Sequence, residues 1–253
     1  MPTLVTEAIV LHAFDYLETS RIVRLMTRDA GIQSVLARGA RNSRKRFGSA
    51  VDLFAQGTVE IEMRPNRELQ SLSSMEVSQA RPQLAMDVGR FTAASMITEL
   101  ALRTSSDEPA PGLFDSIEAA LDGLARATPE STVDAALAGA WHIIATLGFT
   151  PALDQCANCH ADIDPEARVP FSNAAGGALC PRCGPLAIGA RLVPPEARAA
   201  LRAWTTSEAA APLSPDEGRA HQRLLREFFL EHLGGGKELK AYRVWEKGGW
   251  TTS

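Results

Sequence analysis

Thr58-Val59-Glu60-Ile61-Glu62-Met63-Arg64 is the stretch that decides the fold of the N-terminal part. Val59, Ile61 and Met63 alternate with Thr58, Glu60, Glu62 and Arg64, the period of two expected of a strand with one buried face. Outward from it, residues 7–13, 21–28 and 32–38 read as strands, and 69–77 follows the turn Pro65-Asn66-Arg67. In the second of these, Val23, Leu25 and Thr27 share one face, and Arg24 and Arg28 share the other with Ile22 and Met26. Five short strands within about 75 residues suit a small closed barrel of the oligonucleotide-binding (OB) or SH3-like kind, with a plain antiparallel sheet as the open alternative.

From Pro82 the period changes. Residues 86–103 and 113–127 read as helices, and Val133, Leu137, Ala140, Trp141, Ile144 and Leu147 fall on one helical face before Gly148. A further helix opens at Pro194-Pro195 and runs through Trp204. Ser214-Pro215-Asp216-Glu217 has the form of an N-cap with proline at the first helical position, opening a last helix that ends at Gly234-Gly235-Gly236. The expected class is α+β: a barrel domain over residues 1–80, then a helical domain over 81–253 with a cysteine module inserted at 154–188.

All four cysteines fall in two pairs, Cys156-Ala157-Asn158-Cys159 and Cys180-Pro181-Arg182-Cys183, twenty residues apart. Thiolates two residues apart on a tight turn face one ion, and two such turns complete a tetrahedron, so the spacing predicts a structural Zn²⁺ on Cys156, Cys159, Cys180 and Cys183. Disulfides fit poorly with a start that has no export signal. Cys159-His160 also fits a c-type haem attachment, but that leaves Cys180 and Cys183 idle and finds no methionine after Met96. A zinc deaminase needs His-x-Glu, which none of the five histidines offers.

Net charge is −4, yet it is unevenly spread. Residues 19–46 hold eight cations and one acid, residues 81–155 four cations and ten acids, and residues 219–247 seven cations and four acids. Arg38-Gly39-Ala40-Arg41-Asn42-Ser43-Arg44-Lys45-Arg46-Phe47-Gly48 is predicted to be an exposed loop between strands, its cations binding phosphate and Phe47 able to stack on a base. With Arg21, Arg24 and Arg28 on the second strand, Arg38, Arg41, Arg44, Lys45 and Arg46 make the expected nucleic-acid-binding set, which the resemblance described below makes a DNA-binding one. Arg219, Arg223 and Arg226 line one face of the last helix, extended by Lys237, Lys240 and Arg243, and read first as a solvated face. The acidic middle reads as a poor nucleic-acid surface and the better place for protein partners.

No P-loop, G-x-G-x-x-G, H-E-x-x-H or G-x-S-x-G is present, so no covalent catalysis is expected. No membrane span is expected either, and a cytoplasmic, nucleoid-associated location is the default reading.

Glu7-Ala8-Ile9-Val10-Leu11 followed by Asp15-Tyr16-Leu17-Glu18-Thr19-Ser20-Arg21-Ile22-Val23 resembles the start of bacterial RecO recombination mediators. Leu25-Met26-Thr27-Arg28-Asp29-Ala30-Gly31, Ala37-Arg38-Gly39-Ala40-Arg41, and Leu147-Gly148-Phe149-Thr150-Pro151 ahead of Cys156 continue the likeness. So does the closing segment from Leu224 to Gly234 with Leu239-Lys240. The resemblance implies an OB fold, a helical domain and a zinc module. It implies binding of single- and double-stranded DNA, annealing of complementary strands, and association with RecR and single-stranded-DNA-binding protein so that RecA loads at gaps and breaks. Val244-Trp245-Glu246-Lys247 departs from the family by its aromatic character. An RNA-binding or ribosome-associated OB protein with a zinc knuckle is the main rival on the residues alone, and a hidden nuclease or hydrolase the next.

Overall fold

The computed structural model describes residues 2–41, 47, 50–235 and 237–248. The chain divides into two compact units, Met1–Arg126 and Ala127–Ser253.

In the first unit, β1 (Thr3–Tyr16), β2 (Ser20–Thr27), β3 (Gly31–Ala37), β4 (Gln56–Glu62) and β5 (Leu69–Gln79) close into a barrel in the order β1-β2-β3-β5-β4, with β4 returning to β1. This is the OB-like barrel. Neighbours are antiparallel except β3 and β5, which run parallel across the closure. β1 is twice the expected length because its halves serve different neighbours: Thr3 to Ile9 pairs with β4, and Ala8 to Tyr16 with β2. The barrel interior holds Ala8, Val10, Val23, Leu25, Val35, Val59, Ile61 and Leu72, and the connection after β3 closes it with Phe47, Ala50 and Val51. The run Ala8-Ile9-Val10-Leu11 is buried on both faces. The even positions point inward, while Ile9 and Leu11 face outward on a strand that α2 covers.

Three helices complete this unit: α1 (Pro82–Met86), α2 (Val88–Thr104) and α3 (Pro111–Arg126). The helix expected over 86–103 is α2, preceded by the short α1; the extended Asp87 backbone separates the two, and its side chain caps α2 by accepting from Arg90 N–H at 2.8 Å. α3 carries Asp115, Glu118 and Asp122 at i, i+3 and i+7, one helical face. All three acids meet the barrel. Asp115 pairs with Arg28 at 2.7 Å, Glu118 accepts from the Gln56 amide at 2.6 Å, and Asp122 takes Arg81 Nε at 2.6 Å and Gln79 Nε2 at 2.8 Å. The Arg81 side chain is 1% exposed, and its remaining nitrogens donate to Phe54 O at 2.9 Å and Gln56 Oε1 at 2.8 Å. Gly31, at φ 56°, lies so close to the loop after α2 that a Cβ there would sit 2.3 Å from Glu108 O. The acids expected to make residues 81–155 a partner surface are therefore, in this helix, ligands of the barrel's own cations and amides.

The second unit contains α4 (Thr132–Thr146), a three-stranded sheet in the order β7 (Gly177–Ala178), β6 (Val169–Ser172), β8 (Arg191–Val193), then α5 (Pro195–Thr205), α6 (Pro215–His232) and α7 (Lys240–Lys247). Gly148 ends the α4 turn at φ 88°, and Ser214 with Glu217 forms a full capping box on α6. α7 lies beyond the three glycines, where the sequence reading ended the helical pattern. Its Tyr242 and Trp245 are buried, and the Tyr242 hydroxyl donates to Gln222 O at 2.6 Å. The aromatic end that departs from the family pattern is thus core.

Two measurements follow from these cores. Asp122→Ala leaves the buried Arg81 without its carboxylate and is expected to cost about 3 kcal/mol; urea denaturation of Asp122→Ala against Asp122→Asn, which keeps one acceptor oxygen without the charge, checks it. His221 on α6 is 2% exposed, neither ring nitrogen has a hydrogen-bond partner among the described residues, and Trp204 stands edge-on at 4.8 Å. Burial pushes its pKa down to about 4 against a partial pull upward from Glu217. A depressed folded-state pKa means that stability is fully present above about pH 6.5 and is lost as pH falls toward 4, by about 3 kcal/mol at most. Denaturant midpoints at pH 7.5 and 4.5 should separate more for the wild type than for His221→Leu.

Candidate nucleic-acid interface and metal centre

The eight cations expected to bind DNA separate by what already neutralises them. Arg28 is committed to the fold: its Nε lies 2.7 Å from Glu7, its Nη1 2.7 Å from Asp115, and its guanidinium sits 4.3 Å over the Phe114 ring. The hydrogen bonds to Asp115 and then Glu7 hold its pKa above the ordinary arginine value. Arg21 and Arg41 share Asp15, at 3.3 and 3.4 Å, and Arg21 also meets Asp52 at 3.3 Å. Arg41 further donates to Leu17 O at 3.3 Å, which ties the start of the basic loop to the β1–β2 turn. Arg24 and Arg38 have no carboxylate partner among the described residues, and Arg24 Nε is buried without any hydrogen-bond partner. Arg44, Lys45 and Arg46 lie outside the described residues.

Phe47 corrects the sequence reading. It is 3% exposed and belongs to the barrel core, so it has no face to offer a base. A large apolar side chain next to a run of cations reads as a stacking group only when the chain's path is unknown; here the chain turns inward at Phe47 and closes the barrel end.

The outer face of β1, β2 and β3 is set by register. His12 is opposite Arg24, Phe14 opposite Ile22, and Arg24 opposite Ser34; cross-strand partners project to the same side. The interior partners are Ala13, Val23 and Val35. Arg38 is exposed in the turn directly after β3, next to the end of this outer face. The basic set on α6 is more engaged: Arg219 pairs with Asp216 and Arg226 with Glu246, while Arg223 is exposed.

The four cysteines converge. Cys156, Cys159, Cys180 and Cys183 bring their Sγ atoms within 4.8 Å of one another, and Cys159 Sγ and Cys180 Sγ are 3.7 Å apart. A tetrahedral zinc with Zn–S bonds of ~2.3 Å has S···S edges of ~3.8 Å, so the donor set fits such an ion. Burial pushes the Cys156 thiol up, but backbone N–H groups at Cys180, Cys159 and Asn158 outweigh it and bring the value down to about 6. Those N–H groups favour the thiolate that a metal needs. The two turns belong to a small core of their own with Ile163, Val169, Ala178 and Leu179. Gly177 passes so close to Ala152 that a Cβ would lie 2.3 Å from the Ala152 carbonyl oxygen. Two arginines of α5 hold the module from outside. Arg198, 1% exposed, donates to Asp164 O and Pro165 O at 2.7 and 2.6 Å, and Arg202 pairs with Asp154. Sequence reasoning missed Arg198, since its partners are backbone carbonyls that carry no residue-type signal.

Comparison with known proteins covers nearly the whole chain. The family model described as recombination protein O N terminal matches residues 1–81, and the one described as recombination protein O C terminal matches residues 86–241. The chain is 36% identical over 235 residues to the DNA repair protein RecO of Anaeromyxobacter sp. (strain K), spanning 89% of this chain and 90% of that one. It is likewise 36% identical over 233 residues to the DNA repair protein RecO of Anaeromyxobacter sp. (strain Fw109-5), again over 89% and 90% of the two chains.

Chelation of the protein by a strong zinc chelator is expected to raise hydrogen exchange across 154–188 and to leave the barrel strands protected. Cys180→Ser should show the raised exchange without chelator. Unchanged protection of that segment in both samples would show that the four thiols hold no ion that matters to folding.

Proposed function

As the chain belongs to the recombination protein O family of DNA repair proteins, we propose that it is a recombination mediator whose N-terminal barrel holds DNA by its phosphates. Residues 1–80 form the DNA-binding domain in this reading. The observation that carries it is the distribution of cations on the barrel. Arg24, on the outer face, and Arg38, in the turn directly after β3, are free of carboxylates among the described residues, and the sequence continues from Arg38 into four further cations before Phe47. An unpaired arginine on a surface that the fold does not need is a ready phosphate ligand, and its guanidinium fork matches two phosphate oxygens.

Mediation of annealing asks for no covalent catalyst. Neutralising phosphate lowers the repulsion between two complementary polyanions and raises their local concentration, after which base pairing supplies the free energy. Cys156, Cys159, Cys180 and Cys183 hold a structural Zn²⁺ in this proposal: four thiolates leave no open position for a substrate. The family resemblance adds RecR and single-stranded-DNA-binding protein as partners, with RecA loading as the outcome. Among the described residues no helix is long and apolar enough to cross a membrane.

The test is a salt series of binding to single-stranded DNA. If about five phosphates are contacted, log affinity falls against log salt with a slope near −3.5. Replacing Arg38, Arg41, Arg44, Lys45 and Arg46 by Ala should flatten that slope, and Arg24→Ala alone should reduce it by about 0.7. Arg28→Ala should instead lower the melting temperature, since that cation is a ligand of Glu7 and Asp115. A slope that does not change in the five-residue variant would take DNA off the loop.

A further inference from the structure

The outer face of β1 carries a stripe of aromatic side chains that the fold does not use. His12, Phe14 and Tyr16 are alternate residues on one side of the strand, all exposed, with Phe14 at 44% and Tyr16 at 40%. None of them belongs to the barrel core. The His12 and Phe14 rings are 5.8 Å apart and tilted by 55°, so they form a ledge rather than a closed stack. Across the register, Arg24 lies opposite His12, and Ile22 lies opposite Phe14. Beyond Arg24 an open polar cleft of about 450 Å³ continues the surface past Ser34 to Arg67. An aromatic row on a solvated strand face, flanked by a cation whose Nε is buried and unpartnered, has the composition of a surface on which unpaired bases stack while the backbone meets cations.

We propose that Phe14 and Tyr16, with His12 beside them, are the base-stacking residues that make this barrel face select single strands over duplex. The inference rests on the DNA-binding reading above and deepens it: the cations set affinity for any phosphate backbone, and the rings set strand selectivity. Two physical points carry it. In a duplex each base face is covered by its neighbours, so a protein ring has nothing to stack on, whereas unpaired bases offer both faces. The His12 and Phe14 ring centroids, on alternate residues of the strand, stand 5.8 Å apart, well beyond the ~3.4 Å per nucleotide of one strand of duplex and not a multiple of it. Successive rings therefore match bases of an extended strand, not the repeat of a stacked one. The four residue steps from His12 to Tyr16 span about 13 Å, room for two or three nucleotides before the chain reaches Arg21 and Arg41.

The experiment compares three fluorescent ligands of equal length with the full-length protein at one salt concentration: oligothymidylate, its duplex with oligodeoxyadenylate, and an abasic strand with the same phosphates. Phe14→Ala/Tyr16→Ala should lose single-strand affinity by roughly tenfold per ring and duplex affinity by less than about twofold. The wild type should bind the abasic strand about as weakly as that variant binds oligothymidylate. Phe14→Tyr/Tyr16→Phe, which keeps two π faces, should bind as the wild type does. Phe14→Leu/Tyr16→Leu keeps apolar bulk without a π face; it serves if the alanine variant fails to fold by thermal melting, and should lose single-strand affinity in the same way. Equal losses on single strand and duplex, or no loss at all, would overturn the assignment and leave the ledge as a surface for something other than bases. Wild-type binding with a steep salt slope but no dependence on the rings removes the ledge alone. Absence of any DNA binding by the wild type removes the DNA-binding reading with it.

Discussion

Burial of the Arg81 guanidinium is the constraint from which the arrangement of the N-terminal unit follows. A cation removed from water is tolerated only where its donors are satisfied. Arg81 reaches three acceptors from three places in the chain: Asp122 on α3, the Phe54 carbonyl in the β3–β4 connection, and Gln56 at the start of β4. Gln56 and Gln79 then bind Glu118 and Asp122, so the same helix face is fastened at several points. Arg28 fastens its other end through Asp115 and the Phe114 ring. α2 covers β1, and α3 beside it is fastened to the barrel by side chains that consume its acids. This is why the compact unit extends to Arg126, well past the change from strand to helix near residue 80.

The covered side leaves the opposite consequence on the uncovered one. Of the arginines expected to bind nucleic acid, Arg21, Arg28 and Arg41 find carboxylates within the unit; among the described residues Arg24 and Arg38 do not, and Arg24 lies on the face of β1, β2 and β3 that carries His12, Phe14 and Tyr16. A net charge of −4 is thus compatible with a basic working surface. Several acids that lower the total are spent against the barrel's own cations, and screening confines each remaining charge to its neighbourhood.

The second unit solves a smaller version of the same problem. A module with two-, three- and four-residue strands has little apolar area to bury, and a core of Ile163, Val169, Ala178 and Leu179 beside the cysteines is too small to hold four knuckle residues in place without cross-linking. In the proposed zinc site the four converging thiols would supply the cross-link within, and Arg198 supplies one from outside by donating to the Asp164 and Pro165 carbonyls. Burial lowers the Arg198 pKa, a cost offset by those two carbonyls. The site's position in the sequence, two C-x-x-C turns twenty residues apart, was legible at once because metal ligation restricts both residue type and spacing. The helper arginine was not, because a backbone carbonyl can belong to any residue.

The same distinction governs the rest of the molecule. Strand alternation at Val59, Ile61 and Met63 announced a barrel, and the capping residues Ser214 and Glu217 announced α6, since both patterns are local. The partners of Asp115, Glu118 and Asp122 on α3 lie 41 to 87 residues away, so in the sequence these acids are only part of an acidic middle, with nothing local to tie them to the barrel. Phe47 was misplaced for the converse reason: local composition put it with the cations, while the closure of the barrel buries it. Which arginines remain available for phosphate is likewise a tertiary property. Asp15 stands between Arg21 and Arg41, and a phosphate arriving there must displace a carboxylate of the protein before it gains a cation. In the proposed DNA-binding reading those two arginines would release fewer counterions than their charge suggests, and the weight of binding would fall on Arg24, Arg38 and the cations that follow Arg41 in the sequence.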